Sequence, residues 1–291
     1  MSRIRIGGRA RYFIPVKTGS QLKDVLVLSK EQRLPFYVIG NGSNVLFSDD
    51  EFVGTVIRLG GAFKRIFFDF AARQVTAGAG VPLRKLGCTI ALQGFAGCSF
   101  MGVIPGTVGG AVRMNAGTAR TEEIRHHALR VVALDPETLT VYELAGDDLA
   151  FGYRQSVFSR SRMIILEATF KLPETRESCP GEALQAVKQL LAHRRSHHPA
   201  LRRTFGSTFK NPEGQEHGAG WHLEQVGMKG LSIGGAMVTR EHANWIVNTG
   251  TAASSDVKEL IEVGRKRVYE QFGIRLEREV IYLPEDMESW L

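Results

Sequence analysis

The chain has 291 residues, of which 43% are hydrophobic and 23% charged, and its formal net charge is +7. This length suffices for two or three domains with a sizeable core, and no apolar run approaches the roughly 20 residues that a membrane-spanning helix needs. The three cysteines are odd in number and form no C-x-x-C pair, which argues against a disulfide framework or a zinc site and favours a reducing cytoplasm.

Apolar patterning in the first 60 residues predicts a small lobe with β-α-β order. Residues 10–16 alternate as a strand, and Ser20 is predicted to cap the helix that follows, which ends at Pro35. Phe36–Ile39 has the pattern of a buried strand, and Val53–Leu59 that of another.

The middle of the chain predicts an α+β region with several antiparallel pairs. Asp135-Pro136 is a turn between two apolar runs, which is typical of a hairpin. The predicted elements are the strands Ile66–Phe70, Gln74–Thr76, Val131–Leu134, Thr138–Leu144 and Met163–Leu172 and the helix Leu83–Gln93.

A polar segment with two prolines, residues 173–180, is the predicted boundary between domains. The first domain would comprise residues 1–172, in lobes of residues 1–60 and 61–172, and the second residues 173–291.

The predicted second domain opens on an amphipathic helix, Glu182–His193. Another helix is expected to start after the N-cap cluster Ser254–Asp256 and to end at the C-cap glycine Gly273. Arg275–Leu283 is predicted to close the chain as a strand.

Glycine is enriched in three blocks, which we interpret as ligand-binding loops. Glycine supplies 32 of the 291 residues, about 11% against a typical ~7%. Glycine lets backbone N–H groups approach and converge on a phosphate. The first block is not a G-x-G-x-x-G fingerprint, because Val45 stands at the third glycine position, so a plain tight turn remains an alternative. The blocks are Val38–Leu46, Ala77–Gly80 and Pro105–Gly117.

A late serine motif, Gly206–Pro212, has the residue types of a catalytic site. Ser207 could donate a proton to a strong base formed beside it, and Lys210 and Asn211 could hold polar or anionic groups. Arg154 could clamp a carboxylate bidentately, although beside a tyrosine it could equally be a surface feature. Glu277 and Glu279 would share one face of the predicted last strand, pointing either into a site or to solvent.

The positive charge leaves three kinds of partner open: nucleic acid, a membrane surface and anionic small molecules. A basic cluster lies between His193 and Lys210, but the chain carries no RRM, KH, zinc-finger or helix-turn-helix signature. A pocket for phosphorylated ligands explains the cluster as well as a solvated helix face does.

The blocks together resemble one family, the flavoenzymes UDP-N-acetylenolpyruvoylglucosamine reductase of peptidoglycan synthesis. The resemblance covers nearly the whole chain, with its motifs in order. The matching segments are Ile6–Ala10, Gly40–Leu46, Pro105–Gly110, Met114–Gly117, Tyr153–Ser156, Gly206–Pro212, Ala219-Gly220, Gly227–Gly230, His242–Asn244 and Leu276–Val280.

This resemblance implies a fold class and cofactors. The fold would be α+β, a vanillyl-alcohol-oxidase (PCMH) type FAD-binding fold in two lobes followed by a C-terminal α+β substrate domain. NADPH would reduce FAD, and the reduced flavin would pass hydride to the enolpyruvyl methylene carbon of UDP-N-acetylglucosamine enolpyruvate, giving UDP-N-acetylmuramate. The residues matched to FAD binding are Gly40, Asn41, Gly42, Ser43, Asn44, Gly106, Thr107, Gly109, Gly110, Asn115, Ala116 and Gly117.

The resemblance also implies roles at the substrate. Ser207 matches the general acid, and Arg154 and Glu279 match the residues that bind the enolpyruvyl carboxylate and stabilise the enolate. The residues matched to the UDP-sugar are Tyr153, Lys210, Asn211 and His242.

The chain resembles the shorter subtype of the family, without a tyrosine-bearing lid loop, so we expect the basic cluster from Arg194 to Arg203 to hold the diphosphate. A monomer is expected, with no metal ion. Two alternatives remain at this point: another flavin oxidoreductase of the same cofactor fold, and a basic nucleic-acid-binding protein without flavin, whose binding would depend steeply on salt.

Overall fold

The computed structural model of the chain describes residues 2–173, 180–197 and 203–286. These residues form two compact units. The larger unit consists of the described parts of 10–41 and 53–193, and the smaller unit of the described parts of 1–9, 42–52 and 194–289. Both units combine helices with strands, as expected of an α+β protein.

The strands and helices follow one another from Ala10 to Leu283. The strands are β1 (Ala10–Val16), β2 (Phe36–Ile39), β3 (Val45–Phe47), β4 (Phe52–Leu59), β5 (Ile66–Asp69), β6 (Gln74–Gly78), β7 (Gly117–Ala119), β8 (Glu122–Glu123), β9 (Ala128–Leu134), β10 (Val141–Ala145), β11 (Ile164–Lys171), β12 (Thr204–Ser207), β13 (Ser232–Ile233), β14 (Ala236–Val238), β15 (Trp245–Asn248) and β16 (Ile281–Leu283). The helices are α1 (Gly19–Glu31), α2 (Leu83–Leu92), α3 (Val108–Arg113), α4 (Pro180–His197), α5 (Ala219–Gln225) and α6 (Ser254–Phe272).

The larger unit is built on two sheets that share one core. A three-stranded sheet has the order β1-β4-β2, and a five-stranded sheet has the order β10-β9-β11-β6-β5 with antiparallel pairs. Leu22 of α1 and Ile57 of β4 belong to the same buried cluster as Val131 of β9 and Phe170 of β11. Burial of these apolar side chains is the main favourable term that holds the sheets together.

The smaller unit has a four-stranded sheet, ordered β12-β15-β14-β13, and a parallel pair of β16 with β3. Its core contains Ile4 near the start of the chain and Leu223, Val257 and Leu260 from α5 and α6. The buried amide of Asn248 ties the early segment to this core, because its Nδ2 donates to the carbonyls of Ile4 at 3.1 Å and Arg5 at 3.2 Å.

The predicted strands and helices are largely confirmed, but the predicted helix N-caps are wrong. Thr18 caps α1, because its hydroxyl accepts a hydrogen bond from the Gln21 amide at 3.2 Å, and Ser20 lies inside the helix. Ala253 is the N-cap of α6, and the Asp256 carboxylate accepts from the Ala253 amide at 2.9 Å. An acceptor inside the first turn therefore replaces the side-chain cap. Gly273 is the C-cap, as predicted, with φ of 69°.

The prediction of one closing strand over 275–283 is also wrong. Only Ile281–Leu283 forms a ladder, with β3, whereas Arg278 makes a single bridge to Phe209. The segment changes partner between these two pairings, so its extended residues do not belong to one strand.

The predicted domain boundary at 173–180 lies largely outside the described residues, and the division into residues 1–172 and 173–291 stays a prediction. Within the described ranges, the helices lack the combination of length and apolar character that would span a bilayer. Cys88 and Cys98 are free thiols, and Cys179 is outside the described residues.

Gly87→Ala tests the packing of α2. Alanine ordinarily stabilises a helix interior over glycine by about 1 kcal/mol. Here the added Cβ would lie 2.7 Å from the carbonyl carbon of Met101 and closer still to the Gly102 nitrogen, both backbone atoms. We expect overpacking to reverse the sign and to lower the free energy of unfolding by about 1 to 3 kcal/mol, measured by chemical denaturation.

Gly19→Ala is the control for this test, because its Cβ would meet nothing within 4 Å. It should leave stability unchanged or slightly raised. An equal gain in stability for both variants would contradict the packing account.

Candidate functional site

The first glycine block, as far as Asn41, meets the second and third blocks inside the larger unit. Asn41 Nδ2 donates to the Gly106 carbonyl at 2.8 Å, which joins the first block to the third. The Gly109 amide donates to the Ala79 carbonyl at 3.0 Å, which joins the third block to the second. Hydrogen bonds thus join segments that are about 30 and 65 residues apart along the chain.

Glycine is required at these contacts because the backbones lie too close for a side chain. A Cβ on Gly40 would come within 3.0 Å of Thr107 Oγ1, and one on Gly109 would lie 2.9 Å from the Ala79 Cβ. Thr107 also caps α3, and its hydroxyl accepts from the Gly110 amide at 3.4 Å. Glycine loops packed in this way can present backbone groups to a phosphorylated ligand.

The first block is divided between the units, since Gly40 and Asn41 belong to the larger and Gly42, Ser43 and Asn44 to the smaller. Within the smaller unit, the Gly42 carbonyl accepts from the Arg3 amide at 2.8 Å. Asn44 Nδ2 donates to the carbonyl of Glu279 at 3.0 Å. The loop is therefore fixed to the segment that carries the predicted catalytic glutamate.

Asn115 is fully buried, and its side chain is engaged with protein atoms. Its Nδ2 donates to Glu123 Oε2 at 3.1 Å and to the Gly152 carbonyl at 2.8 Å. Its Oδ1 accepts from the Arg125 amide at 2.9 Å. The side chain thus organises the loops around Arg154, and direct binding of a cofactor by Asn115 stays a prediction, as it does for Ala116 and Gly117.

Arg154 is held from two sides within the larger unit. Its NH1 binds Glu123 Oε1 at 3.2 Å, and its NH2 donates to the Gly117 carbonyl at 2.9 Å. The Tyr153 ring lies 5.1 Å from the Arg154 Cζ, close enough for a cation–π contact. A preorganised guanidinium of this kind can bind a carboxylate bidentately.

Ser207 ends β12 of the smaller unit, at an irregular part of the sheet. The register with β15 shifts between Thr204 and Ser207, as in a β-bulge, and Gly206 has φ of 90°. Bulges beside active sites change the direction in which a side chain points. Glycine before Ser207 permits this backbone turn without strain.

Asn244 fixes the residues that follow Ser207, and one of these residues is hydrogen-bonded to Glu279. Its Oδ1 accepts from the Phe209 amide and its Nδ2 donates to the Phe209 carbonyl, both at 2.9 Å. Its carbonyl accepts from the Thr208 amide at 2.8 Å, and the Glu279 amide donates to the Thr208 carbonyl at 2.9 Å. The backbones of Ser207 and Glu279 are therefore brought together.

Lys210 and Glu277 form an ion pair at 2.5 Å. This contact distinguishes Glu277 from Glu279. Arg278, between Glu277 and Glu279, binds Asp286 with both terminal nitrogens, at 2.8 and 2.9 Å. Glu277 is thus occupied at Lys210, and Glu279 remains the predicted catalytic glutamate.

Asn211 lies at the start of α5, where its Oδ1 accepts from the Ala219 amide at 3.0 Å. His242 packs against the same helix, since a Cβ on Gly220 would lie 2.6 Å from His242 Cε1. His242 Nδ1 is placed to accept from the Asn244 amide at 3.1 Å, which requires an unprotonated Nδ1. Burial, and then the charge of Lys229, lowers the pKa of His242.

Residues 198–202 of the basic cluster that we expected to hold a diphosphate lie outside the described residues. Of its described members, Arg194 has its Cζ 5.8 Å from the centre of the Trp245 ring. Burial, and then repulsion from Arg3, lowers the pKa of Arg194. In the described part of the chain, His, Cys, Asp and Glu side chains do not gather into a group of three that could hold a metal ion.

Two residues of this arrangement, Glu123 and Asn244, had no predicted role, and Thr107 was matched to FAD binding but not predicted as a helix cap. Thr107 could have been found as an N-cap, because a threonine precedes the short apolar helix. Glu123 and Asn244 act through partners that are distant in sequence, so no local pattern indicates them.

The chain is similar to known proteins over nearly its whole length. A family model of the UDP-N-acetylenolpyruvoylglucosamine reductase C-terminal domain matches residues 198–283, and one of an FAD binding domain matches residues 10–141. The UDP-N-acetylenolpyruvoylglucosamine reductase of Clostridioides difficile (strain 630) is 37% identical over 282 residues, 97% of this chain and 90% of that protein. That of Chlamydia felis is 38% identical over 284 residues, 97% and 91% of the two chains. The crystal structure of the Thermus caldophilus enzyme matches with a TM-score of 0.79 and 33% identity, over 97% of this chain and 96% of that one.

Gly40→Ala tests whether the meeting of the glycine blocks carries the cofactor. The added methyl would push against Thr107 and separate the first and third blocks. We expect at least tenfold weaker FAD binding, measured by titration of the apoprotein. Thr107→Ala in the same chain should restore part of the affinity, because its removal takes away the Oγ1 that the methyl meets. Unchanged FAD affinity in Gly40→Ala would contradict this role.

His242 predicts a pH dependence of stability. The pKa of His242 is lower in the folded state than in the unfolded state, so the unfolded state binds more protons. The contribution of His242 to the free energy of unfolding is therefore complete above about pH 6.5 and is lost as the pH falls. His242→Asn keeps an acceptor near the Asn244 amide but cannot titrate. From pH 7 to pH 5, the wild type should lose more unfolding free energy than this variant in urea titrations. Parallel losses would show that His242 does not titrate in this way.

Proposed function

The chain belongs to the UDP-N-acetylenolpyruvoylglucosamine reductase family, and from this premise we propose that it uses NADPH to reduce the enolpyruvyl group of UDP-N-acetylglucosamine enolpyruvate, giving UDP-N-acetylmuramate. The chain is an FAD-dependent oxidoreductase, and the predicted family, fold class and flavin cofactor are confirmed. Its fold is the vanillyl-alcohol-oxidase (PCMH) type FAD-binding fold with an additional C-terminal domain.

The glycine blocks fit FAD, which when bound supplies the hydride for this reaction. Their contacts leave no room for side chains at Gly40 and Gly109, so the backbones of the blocks lie close together. We assign the diphosphate of FAD to Gly40, Asn41 and the Gly106–Gly110 turn, with Gly42, Ser43 and Asn44 completing the first loop. The FAD binding domain model includes all of these residues.

Arg154 is assigned to the enolpyruvyl carboxylate. Addition of hydride to the methylene carbon moves the electron pair of the double bond onto the neighbouring carbon and its carboxylate. A guanidinium held in place before the reaction stabilises this charge as it develops. The two contacts that hold Arg154, at Glu123 and Gly117, support this assignment.

Ser207 is assigned as the proton donor to the carbon that carries the negative charge. Two observations support this assignment: Ser207 lies at the irregular end of β12, and Asn244 fixes the residues that follow it. Glu279 would assist in stabilising the enolate, and its backbone is bound to that of Thr208. One hydride and one proton together saturate the double bond.

Tyr153, Lys210, Asn211 and His242 are assigned to the UDP-sugar, and the basic cluster from Arg194 to Arg203 to its diphosphate. We further propose a monomer that works in the cytoplasm, where the nucleotide-activated sugar would be its substrate. The observation that carries the proposal is the identity of 37% over 97% of the chain to a reductase of this name.

Turnover in D₂O tests the proposed reaction. With NADPH and the enolpyruvyl sugar, the protein should form a lactyl product that carries deuterium on the carbon next to the carboxylate, as detected by NMR. Oxidation of NADPH without this product, or a product with protium at that carbon, would contradict the proposal.

Ser207→Ala tests the proton donor. General acid catalysis typically contributes ~10²- to 10⁴-fold. We expect reoxidation of the reduced flavin by the enolpyruvyl sugar to slow by that factor in stopped-flow experiments, with flavin reduction by NADPH unchanged.

Thr208→Val is the matched control, since it removes the neighbouring hydroxyl. The Thr208 Oγ1 is buried and has no hydrogen-bond partner among the described residues, so valine should replace it without loss. If Ser207→Ala reoxidises at the wild-type rate, Ser207 is not the acid.

A further inference from the structure

Glu123 is a fully buried carboxylate on which three donors converge. Arg154 NH1 binds its Oε1 at 3.2 Å, and Arg125 Nε binds its Oε2 at 2.9 Å. Asn115 Nδ2 also donates to Oε2, at 3.1 Å. Removal of a carboxylate from water is costly, and an apolar side chain of similar volume often serves stability equally well. The charge at this position therefore points to a role in holding its partners.

Two protein acceptors of Arg154 come from one cross-strand pair. Glu123 of β8 is directly opposite Gly117 of β7 in the register of this short ladder. Arg154 NH1 binds the Glu123 carboxylate, and Arg154 NH2 binds the Gly117 carbonyl. Two contacts from a single rigid pair determine the plane of the guanidinium, which one contact would leave free to rotate.

Gly117 makes this arrangement possible. A Cβ at this position would lie 2.6 Å from the Glu123 Cγ and closer still to the Glu122 carbonyl. The glutamate side chain can therefore lie across the opposite strand only because residue 117 is glycine.

The backbone of Arg154 also needs external support. Its φ is 54°, in the left-handed region that non-glycine residues seldom adopt. Such a conformation persists where surrounding contacts over-determine it, often at functional sites. The Glu123 and Gly117 contacts, together with the Tyr153 ring at 5.1 Å from Cζ, provide this support.

We propose that Glu123 is a positioning residue, whose carboxylate fixes the plane of the Arg154 guanidinium for bidentate binding of the substrate carboxylate. This inference rests on the proposed function of Arg154. Both oxygens of Glu123 are needed as acceptors, because Oε1 faces Arg154 and Oε2 faces Arg125 and Asn115. Glutamine offers one acceptor oxygen and would turn its amide group toward a donor, so Glu123→Gln should release Arg154 or disturb its neighbours.

The test compares the affinities of two ligands for the oxidised holoenzyme, measured by perturbation of the flavin spectrum. UDP-N-acetylglucosamine enolpyruvate carries the carboxylate, and UDP-N-acetylglucosamine lacks it. In Glu123→Gln, we expect affinity for the enolpyruvyl sugar to fall at least tenfold, with affinity for UDP-N-acetylglucosamine within twofold of the wild type. Reoxidation of the flavin by the enolpyruvyl sugar should slow at least tenfold, whereas its reduction by NADPH should not change.

Glu122→Gln is the matched control, since it removes the same charge from the adjacent residue of β8, whose carboxylate accepts a hydrogen bond from Thr118. It should retain the wild-type ratio of affinities. Addition of Glu123→Gln to an Arg154→Met chain should change that ratio less than twofold, because a residue that acts through Arg154 has no effect without it.

Several results would overturn the proposal. Equal loss of both affinities in Glu123→Gln would indicate a merely structural role, and a ratio like that of Glu122→Gln would indicate none. If Glu123→Gln does not bind flavin, Glu123→Asp replaces it in the test, because aspartate retains the charge but withdraws it from Arg154. We then expect the ratio of affinity for the enolpyruvyl sugar to affinity for UDP-N-acetylglucosamine to fall threefold or more. An unchanged ratio would contradict the inference. If the wild type itself does not prefer the enolpyruvyl sugar and is not reoxidised by it, the proposed function fails as well. This result in the wild type distinguishes failure of the proposed function from failure of the inference about Glu123 alone.

Discussion

The close approach of backbone segments that only glycine permits is the constraint on which the candidate site depends. Gly40 lies against Thr107, Gly109 against Ala79, and Gly117 against the Glu123 side chain. The first two contacts bring together the loops assigned to FAD, and the third allows the glutamate to reach Arg154. The surface for the cofactor and the support for the substrate-binding arginine thus rest on the same property of the chain.

The FAD diphosphate and the substrate carboxylate are assigned to different kinds of protein group. The loops assigned to the FAD diphosphate are rich in glycine, so backbone dipoles at fixed positions would meet the phosphates. The arginine assigned to the substrate carboxylate is a charge supported by a buried opposite charge, at Glu123. Ser207 is different again, since its neighbours are fixed by the neutral amide of Asn244. The group that fixes the neighbours of the assigned proton donor is therefore uncharged.

Sequence patterns predicted those features that depend on neighbours along the chain. The hairpin of β9 and β10, the strand β11 and the C-cap Gly273 follow from local periodicity and turn chemistry, and the structure has them. The caps at Ser20 and Ser254–Asp256 were predicted wrongly because several polar residues competed at each helix start, and geometry decided among them. The strand over 275–283 was wrong because its partners, Phe209 and β3, come from distant parts of the chain. Glu123 could not be predicted, since its role exists only once β7, β8 and Arg154 meet.

The most direct measurement is the visible spectrum of the purified protein under anaerobic conditions, first with NADPH and then with UDP-N-acetylglucosamine enolpyruvate. The account predicts a flavin band that bleaches with NADPH and recovers when the enolpyruvyl sugar is added, but not when UDP-N-acetylglucosamine is added. A flavin that bleaches and does not recover with the enolpyruvyl sugar would contradict the assigned acceptor. A protein that binds no FAD, even on reconstitution, would contradict the assignment of the glycine blocks.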